Sequence, residues 1–194
     1  LSYIESIYQL GLPEVAAYVF MMLLGFYIML RAFDFRVWMA ALGAILWAFS
    51  SYYFIIIAAG HIWKVMALAY IPPTIAGIAL CYRKKILLGM IVTAVFATLQ
   101  IQANHVQMSY YFLVVELLMV VAFLIQAIRE KDMLSFGKAT AGVALAAVLA
   151  IGLNASNLYH TYEYAKDTMR GKSELVKPGK AEDQTDSGLE RSYI

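Results

Sequence analysis

The sequence predicts an all-α, polytopic membrane protein with about six transmembrane helices. Of its 194 residues, 62% are hydrophobic and 14% are charged, and the mean hydropathy is +0.70. Soluble domains are far more polar than this. Charge-free runs long enough to cross about 30 Å of hydrocarbon recur along the chain. The single cysteine, Cys81, excludes an internal disulfide. The lipid bilayer is the expected partner, and no nucleic-acid partner is expected.

The charge-free runs locate the predicted spans. They lie at residues 15–30, 37–59, 65–81, 86–103, 108–128 and 139–159. The first and third runs are short and are expected to borrow flanking residues. Pro72 and Pro73 remove two amide donors from the third span, which predicts a packing kink in preference to a gating hinge. A small-residue stripe in the sixth span, Gly142, Ala146 and Ala150, predicts close helix packing.

Basic residues in alternate loops predict the orientation of the spans. Eight lysines and arginines fall in the first, third and fifth loops, whereas the second and fourth loops contribute only Lys64. Lysine and arginine in short loops favour the cytoplasmic side of the membrane. Both ends of the chain are therefore expected outside the cytoplasm. The eight residues are Arg31, Arg36, Arg83, Lys84, Lys85, Arg129, Lys131 and Lys138.

A change in composition after Tyr162 predicts two regions, a transmembrane domain at residues 1–162 and a polar extracytoplasmic segment at residues 163–194. The second region contains 6 basic and 7 acidic side chains. It is expected to be either a disordered tail or the opening of an outer domain. The chain starts at Leu1 without a methionine or a recognisable signal peptide. We interpret it as a piece of a longer polypeptide, whose remainder is an expected partner.

Unusual polar residues concentrate at the predicted outer ends of the spans. Gln100, Gln102, Asn104 and Gln107 surround His105 within eight positions. Burying such amides near the membrane surface costs free energy unless each finds a partner. Their density therefore predicts a hydrated cavity at the outer face.

Three further residues are candidates for function. Glu116 is the only charged residue inside any predicted span, and it is either a functional acid or a protonated or hydrogen-bonded glutamate facing a neighbouring helix. His61 and Lys64 lie one turn apart and could both donate to a phosphate, although Lys64 could equally snorkel to the interface. The three histidines lack the closely spaced pattern of metal ligands, so no metal site is predicted.

Several blocks of the chain resemble the YfhO family of bacterial membrane proteins. The resemblance runs over nearly the whole chain, and its most specific parts are the blocks that begin at Asn104 and at Arg170. The blocks are Phe49-Ser50-Ser51-Tyr52-Tyr53, Gly60-His61 with Lys64, Tyr70-Ile71-Pro72, Asn104-His105-Val106-Gln107-Met108-Ser109-Tyr110-Tyr111, Tyr162-Glu163-Tyr164 with Lys166, and Arg170-Gly171-Lys172-Ser173-Glu174-Leu175.

The resemblance implies a part of a larger GT-C-like bundle in the bacterial cytoplasmic membrane. Such enzymes transfer sugar from a polyprenyl-phosphate donor to a cell-envelope acceptor at the extracytoplasmic face. Their catalytic acid typically lies in the first outer loop, which this chain is expected to lack, so no catalytic residue is assigned. The chain alone is accordingly expected to be inactive. No cofactor is predicted, and the question of a divalent metal stays open.

Substrate-binding roles follow from residue type within that reaction. His61, Lys64 and Arg170 are candidate phosphate partners. Gln102, Asn104, His105 and Gln107 are candidates to hold sugar hydroxyls. Tyr110 and Tyr111 are candidate stacking surfaces.

Two other functions are weighed against sugar transfer. Half of a transporter or flippase accounts better for Glu116, but its site would lie near the midplane between repeats, and no repeat is evident. A structural membrane anchor leaves the costly amide cluster unexplained.

Overall fold

The computed structural model describes residues 10–167 together with Tyr3 and Ile7. Within these residues the chain is all-helical, which confirms the all-α part of the predicted fold class. Short turns join the helices. They are α1 (Glu14–Ala32), α2 (Val37–Ala48), α3 (Ser51–Ala58), α4 (Ile62–Tyr82), α5 (Ile86–Gln102), α6 (Val106–Glu130), α7 (Met133–Leu153) and α8 (Ala155–Asp167). The chain divides into two compact units, one ending at Asn157 and the next beginning at Leu158.

Five candidate membrane spans occur in the described residues. Four are single helices, namely α1, α4, α6 and α7, and α2 and α3 together make the fifth, at Val37–Ala58. The run predicted at residues 86–103 is an apolar helix, α5, but with 17 residues it is shorter than each of the five candidate spans. Multi-pass membrane character is supported by these helices, and five long spans stand where about six were predicted.

The span predicted at residues 37–59 is interrupted. Helix α2 ends at Ala48, and Ser50 has an extended backbone with ψ of 134° before α3 begins at Ser51. Serine side chains compete with helical hydrogen bonds and so favour helix boundaries. The Ser50-Ser51 pair therefore ends one helix and starts another, a break that charge counting cannot detect.

The span predicted at residues 139–159 is shifted along the chain. Helix α7 begins at Met133 because the Asp132 carboxylate accepts a hydrogen bond from the Ser135 amide at 3.3 Å and caps it. Lys138 therefore lies inside the helix, where its long side chain can reach the interface. The helix ends at Leu153, and the next residue, Asn154, is buried. The helix bounds differ from the predicted span at both ends because the prediction rested on charge-free runs and contained no information on helix caps.

Helix α4 is the centre of the bundle. Most of its residues are buried, and it packs mainly against α5 and α1. It runs unbroken through Pro72 and Pro73, and the Thr74 hydroxyl donates to the Tyr70 carbonyl at 2.9 Å. Helices α4 and α5 approach each other closely at Gly77 and Gly89, where an added Cβ would meet backbone atoms of the partner helix. A largely buried central helix explains why α4 shows no polar face.

Ion pairs join three turns at one end of the bundle, which we call the basic end (turns 33–36, 83–85 and 131–132). Arg83 pairs with Asp34, and the Lys84 ammonium lies 3.0 Å from the Asp132 carboxylate. The hydrogen bond from Lys84 lowers the pKa of Asp132, with a further contribution from Ser135. The loops that carry the predicted cytoplasmic charges therefore meet at one end, as alternate loops of a bundle should.

Candidate functional site

The opposite end of the bundle, which we call the polar end (turns 59–61 and 103–105), holds most of the predicted site residues. His61 and Lys64 lie at the start of α4, Gln102 ends α5, and His105 precedes α6. Residues near these turns share one apolar cluster that includes Val65, Leu99 and Ala103. These residues therefore lie at turns on one end of the bundle, although their detailed surroundings differ from one another.

Lys64 is held at the polar end by an aromatic ring. Its ammonium lies 5.3 Å from the centroid of the Tyr52 ring, a geometry that favours a cation by about 0.5–2 kcal/mol. The side chain is half-buried, and among residues 10–167 it has no carboxylate partner. His61 is exposed at the N-cap position of the same helix. Arg170, the third predicted phosphate partner, lies outside the described residues.

Gln102 lies beside a cavity of water-like size. Its Oε1 is buried and has no hydrogen-bond partner within the described chain. The cavity, of about 20 Å³, is also lined by Trp63, Met66, Tyr70, Leu99 and Ala103. That volume accommodates about one water molecule, which could satisfy the amide. A sugar does not fit in this space.

Three neighbours of Gln102 have local structural roles. Asn104 adopts a left-handed backbone with φ of 51°, which asparagine tolerates better than most residues. The His105 Nδ1 accepts a hydrogen bond from the Met108 amide at 3.4 Å and so caps α6. The Gln107 amide donates to the Tyr111 hydroxyl at 2.9 Å. These contacts account for part of the polar cluster without any ligand.

Tyr110 and Tyr111 are both exposed, with ring centroids 6.2 Å apart and ring planes inclined at 58°. Two accessible rings at the polar end are suited to contact a sugar or a lipid headgroup. Their exposure leaves the predicted stacking role open.

Glu116 faces the interior of the bundle. On the same side of α6, Phe112 packs against the apolar cluster and Phe123 stacks on Tyr82 at 4.7 Å. The Oε1 of Glu116 is buried and has no partner among the described residues. Ten residues separate Glu116 from the start of α6, which is about 15 Å of helix. The Oε1 atom is therefore shielded from lipid, and both predicted roles are compatible with this position.

A large cavity near the polar end was not predicted. It has a volume of about 530 Å³, which is within the usual range for ligand pockets, and we call it the aromatic groove. Its wall includes a stack of Phe26 on Trp47 at 4.7 Å and an edge contact of Trp47 with Tyr53 at 5.3 Å. The lining residues are Phe26, Gly43, Leu46, Trp47, Ser50, Tyr52, Tyr53 and Leu68.

Two lining residues of the aromatic groove, Trp47 and Ser50, carry polar side-chain groups. The indole Nε1 of Trp47 is buried and has no acceptor in the described part of the chain. The Ser50 side chain makes no capping bond to α3. Tyr52 is both a lining residue and the ring beneath Lys64. The groove is thus apolar along its walls, and the Lys64 ammonium lies beside one of its lining rings.

Comparisons with protein-family models, curated proteins and solved structures found no match to this chain. The resemblance to the YfhO family therefore stays a prediction. No group of three or more His, Cys, Asp or Glu side chains is placed to hold a metal ion within the described residues.

Proposed function

We propose that this chain is part of a GT-C-type glycosyltransferase that takes sugar from a polyprenyl-phosphate donor and transfers it to a cell-envelope acceptor. The observation that carries the proposal is the separation of the two ends. The basic turns meet at one end, joined by Arg83 and Lys84, and the candidate ligand-binding residues lie at the other.

The positive-inside rule favours a cytoplasmic basic end and an extracytoplasmic polar end. Polyprenyl-phosphate sugars are used at the outer face in the enzymes that the sequence resembles. In this proposal the bilayer is the bacterial cytoplasmic membrane, the described helices are part of a larger bundle, and the reacting centre lies at the outer surface.

The reaction requires charge stabilisation and a base. An acceptor hydroxyl oxygen attacks the anomeric carbon, the bond from that carbon to the phosphate oxygen breaks, and the hydroxyl proton passes to a carboxylate. The departing lipid phosphate gains negative charge, which nearby cations stabilise. His61, Lys64 and Arg170 are the candidate cations. The base is assigned to none of the described residues.

Sugar transfer can be tested with substitutions that keep the local fold. His61→Ala removes an exposed side chain, and His105→Asn keeps a side-chain acceptor at the N-cap of α6. In cells that produce the full-length protein, we expect His61→Ala to lower glycolipid product by about a hundredfold, the scale typical of a lost transition-state contact. We expect a smaller loss for His105→Asn.

Ser135→Ala at the basic end is the control, since it leaves the capping amide of that residue in place. The amount of glycolipid product is divided by the amount of folded protein, and folding of each variant is checked by its thermal unfolding in detergent. Normal product from both histidine variants, or losses proportional to lost folded protein, would contradict the proposal.

A transport pathway is the second candidate, and the inward position of Glu116 favours it. Intramembrane acids commonly mark proton or substrate paths. Glu116→Gln removes the titratable group with little change in shape. Abolished substrate flux across vesicles, with sugar transfer intact, would favour transport over the transferase.

A further inference from the structure

Two exposed lysines at the basic end, Lys85 and Lys138, have no acidic partner. Neither forms an ion pair within the part of the chain that the structure describes. The charge of these two lysines is not neutralised by the three acids of this end, because each acid has another partner. Asp34 pairs with Arg83, Asp132 pairs with Lys84, and Glu130 accepts a hydrogen bond from Gln126 at 2.8 Å.

The packing of α7 against α5 brings the two lysines to one place. A Cβ at Gly142 would lie 3.1 Å from the Ile86 side chain, so the two helices are in contact there. Lys85 directly precedes Ile86 at the start of α5. Lys138 lies one turn before Gly142 on the same side of α7, because residues four apart share a helix face. We call this line of contact the α5–α7 seam (Lys85, Ile86, Lys138 and Gly142).

The two lysines at the seam are suited to hold one phosphate between them. Lysine side chains are long and flexible, and each ammonium group offers three donors. Two like charges near each other repel, and an anion between them replaces that repulsion with two attractions. Hydrogen bonds from an ammonium to a phosphate are charge-assisted and stronger than neutral ones.

Apolar side chains are exposed beside the seam, on the membrane-interior side of the lysines. Leu87 and Ile91 lie on α5, and Leu145 lies on α7, about 10 Å along the helix from Lys138. An occupant that pairs with the lysines and also covers these side chains must combine an anion with hydrocarbon. A free phosphate, a nucleic acid or an acidic peptide supplies only the anion.

These two requirements select one class of membrane lipid. A zwitterionic lipid carries its own cation next to its phosphate, which the two lysines repel. The exposed apolar side chains lie on both sides of the seam, one set on α5 and one on α7, which suits a lipid with two chains. A polyprenyl phosphate has a single chain.

We propose that the α5–α7 seam binds an anionic glycerophospholipid. Its phosphate lies between Lys85 and Lys138, and its two acyl chains lie along α5 and α7. In the predicted orientation this lipid belongs to the cytoplasmic leaflet. The site goes beyond the proposed sugar transfer, and it uses none of the residues assigned to the sugar donor.

Lipid binding to the full-length protein, measured by native mass spectrometry after purification in detergent, tests the proposal. The probes are dioleoyl phosphatidylglycerol and dioleoyl phosphatidylcholine, which share their acyl chains. A lysine near an anionic lipid contributes about 1 kcal/mol, which is about fivefold in affinity. With two lysines we expect phosphatidylglycerol to bind roughly 25-fold more tightly than phosphatidylcholine.

Three substitutions locate the site. Lys85→Gln and Lys138→Gln should each reduce the preference for phosphatidylglycerol by about fivefold. Lys131→Gln is the matched control, since it removes the same charge from an exposed lysine of the basic end that is not at the seam. It should leave most of the preference intact. All three side chains are exposed, so thermal unfolding in detergent should change little.

Equal binding of the two lipids by the unsubstituted protein would overturn the proposal. An equal loss of preference in all three variants would also overturn it, because binding would then follow net charge and not the seam. Glycerophosphoglycerol, the headgroup without acyl chains, should not displace the lipid at equal concentration. If it does, the site takes a soluble phosphate and the proposal is wrong.

A polyprenyl monophosphate provides the last comparison. Tighter binding of this single-chain lipid than of phosphatidylglycerol, lost in Lys85→Gln and Lys138→Gln, would contradict the assignment to a two-chain lipid. None of these measurements uses sugar transfer, and the seam lies at the opposite end of the bundle from the polar end. This proposal and the proposed enzyme activity can therefore fail separately.

Discussion

At the scale of single residues, several polar side chains of the polar end are explained by backbone chemistry. Asn104 fits a left-handed turn and His105 caps a helix. The sequence predicted where these residues lie, because amides and histidines collect at helix ends. The sequence could not predict which of these side chains form hydrogen bonds with the backbone, because a helix cap and a ligand contact need the same residue types.

Asn154 is a buried residue whose role can be tested directly. Its Nδ2 donates to the Thr98 carbonyl at 3.0 Å and to the Ala150 carbonyl at 2.9 Å, which ties the end of α7 to α5. We expect Asn154→Ala to lower the free energy of unfolding by about 1–2 kcal/mol through the lost hydrogen bonds. Thermal unfolding in detergent would measure the loss. Asn157→Ala, at a half-buried site three residues later, should have a smaller effect. Equal losses would show that the contacts of Asn154 contribute little.

The Lys84–Asp132 pair predicts a pH dependence of stability. The hydrogen bond from Lys84 lowers the pKa of Asp132 in the folded protein. A lowered folded pKa stabilises the fold at pH above the ordinary aspartate pKa of about 3.9, and this contribution is lost as pH falls through the folded value. At pH 7 the unsubstituted protein should melt at a higher temperature than the Asp132→Asn variant. This gap between the two melting temperatures should close in strongly acidic solution. Both groups are at the surface, so high salt should also narrow the gap. A gap that stays constant with pH would contradict this account.

At the scale of helices, the contact between α4 and α5 depends on two glycines. A Cβ at position 77 would lie 2.5 Å from the Thr93 amide nitrogen, and one at position 89 would lie 2.6 Å from the Gly77 carbonyl oxygen. Because these are backbone atoms, the helices would have to separate. We expect Gly77→Ala and Gly89→Ala each to cost about 1–3 kcal/mol of stability.

Gly137→Ala is the matched control for this helix contact. Position 137 is within α7 and has open space where the methyl group of an alanine would lie, so the substitution should be neutral or slightly stabilising there. Thermal unfolding of the three variants in one detergent would give the comparison. Near-equal stabilities would show that α4 and α5 can separate at little cost.

The helices also show what charge patterning can predict. The existence of apolar helices at all six runs follows from composition, and the stripe of Gly142, Ala146 and Ala150 is buried as predicted. The boundaries depend on interactions that hydropathy does not contain. Examples are the extended backbone at Ser50 and the Asp132 cap that starts α7 before Lys138.

At the scale of the whole molecule, the aromatic groove was missed for a physical reason. Its walls are apolar and aromatic residues such as Phe26, Trp47 and Leu68, which also occur on any lipid-facing or packed helix surface. The sequence singled out only the Phe49-to-Tyr53 block of this region, and it did so through the family resemblance. A cavity between helices depends on how the helices are spaced, and a single sequence does not determine that spacing.

The orientation of the bundle is the prediction on which the location of any reaction depends. The structure collects the basic turns at one end, so the positive-inside rule predicts a cytoplasmic basic end and an outer polar end. Single cysteines at Lys85 and Gln107, in a Cys81→Ser background, can be labelled by a membrane-impermeant reagent on intact cells. Both positions are exposed. Lys85 is preferable to Lys84, because Lys84 has a left-handed backbone with φ of 65° and contacts Asp132. A cysteine at position 84 would disturb both features. We expect labelling at position 107 on intact cells and at position 85 only after permeabilisation. The reverse labelling pattern would place the polar end in the cytoplasm, on the opposite side of the membrane from the proposed sugar transfer. That result would contradict the proposed function.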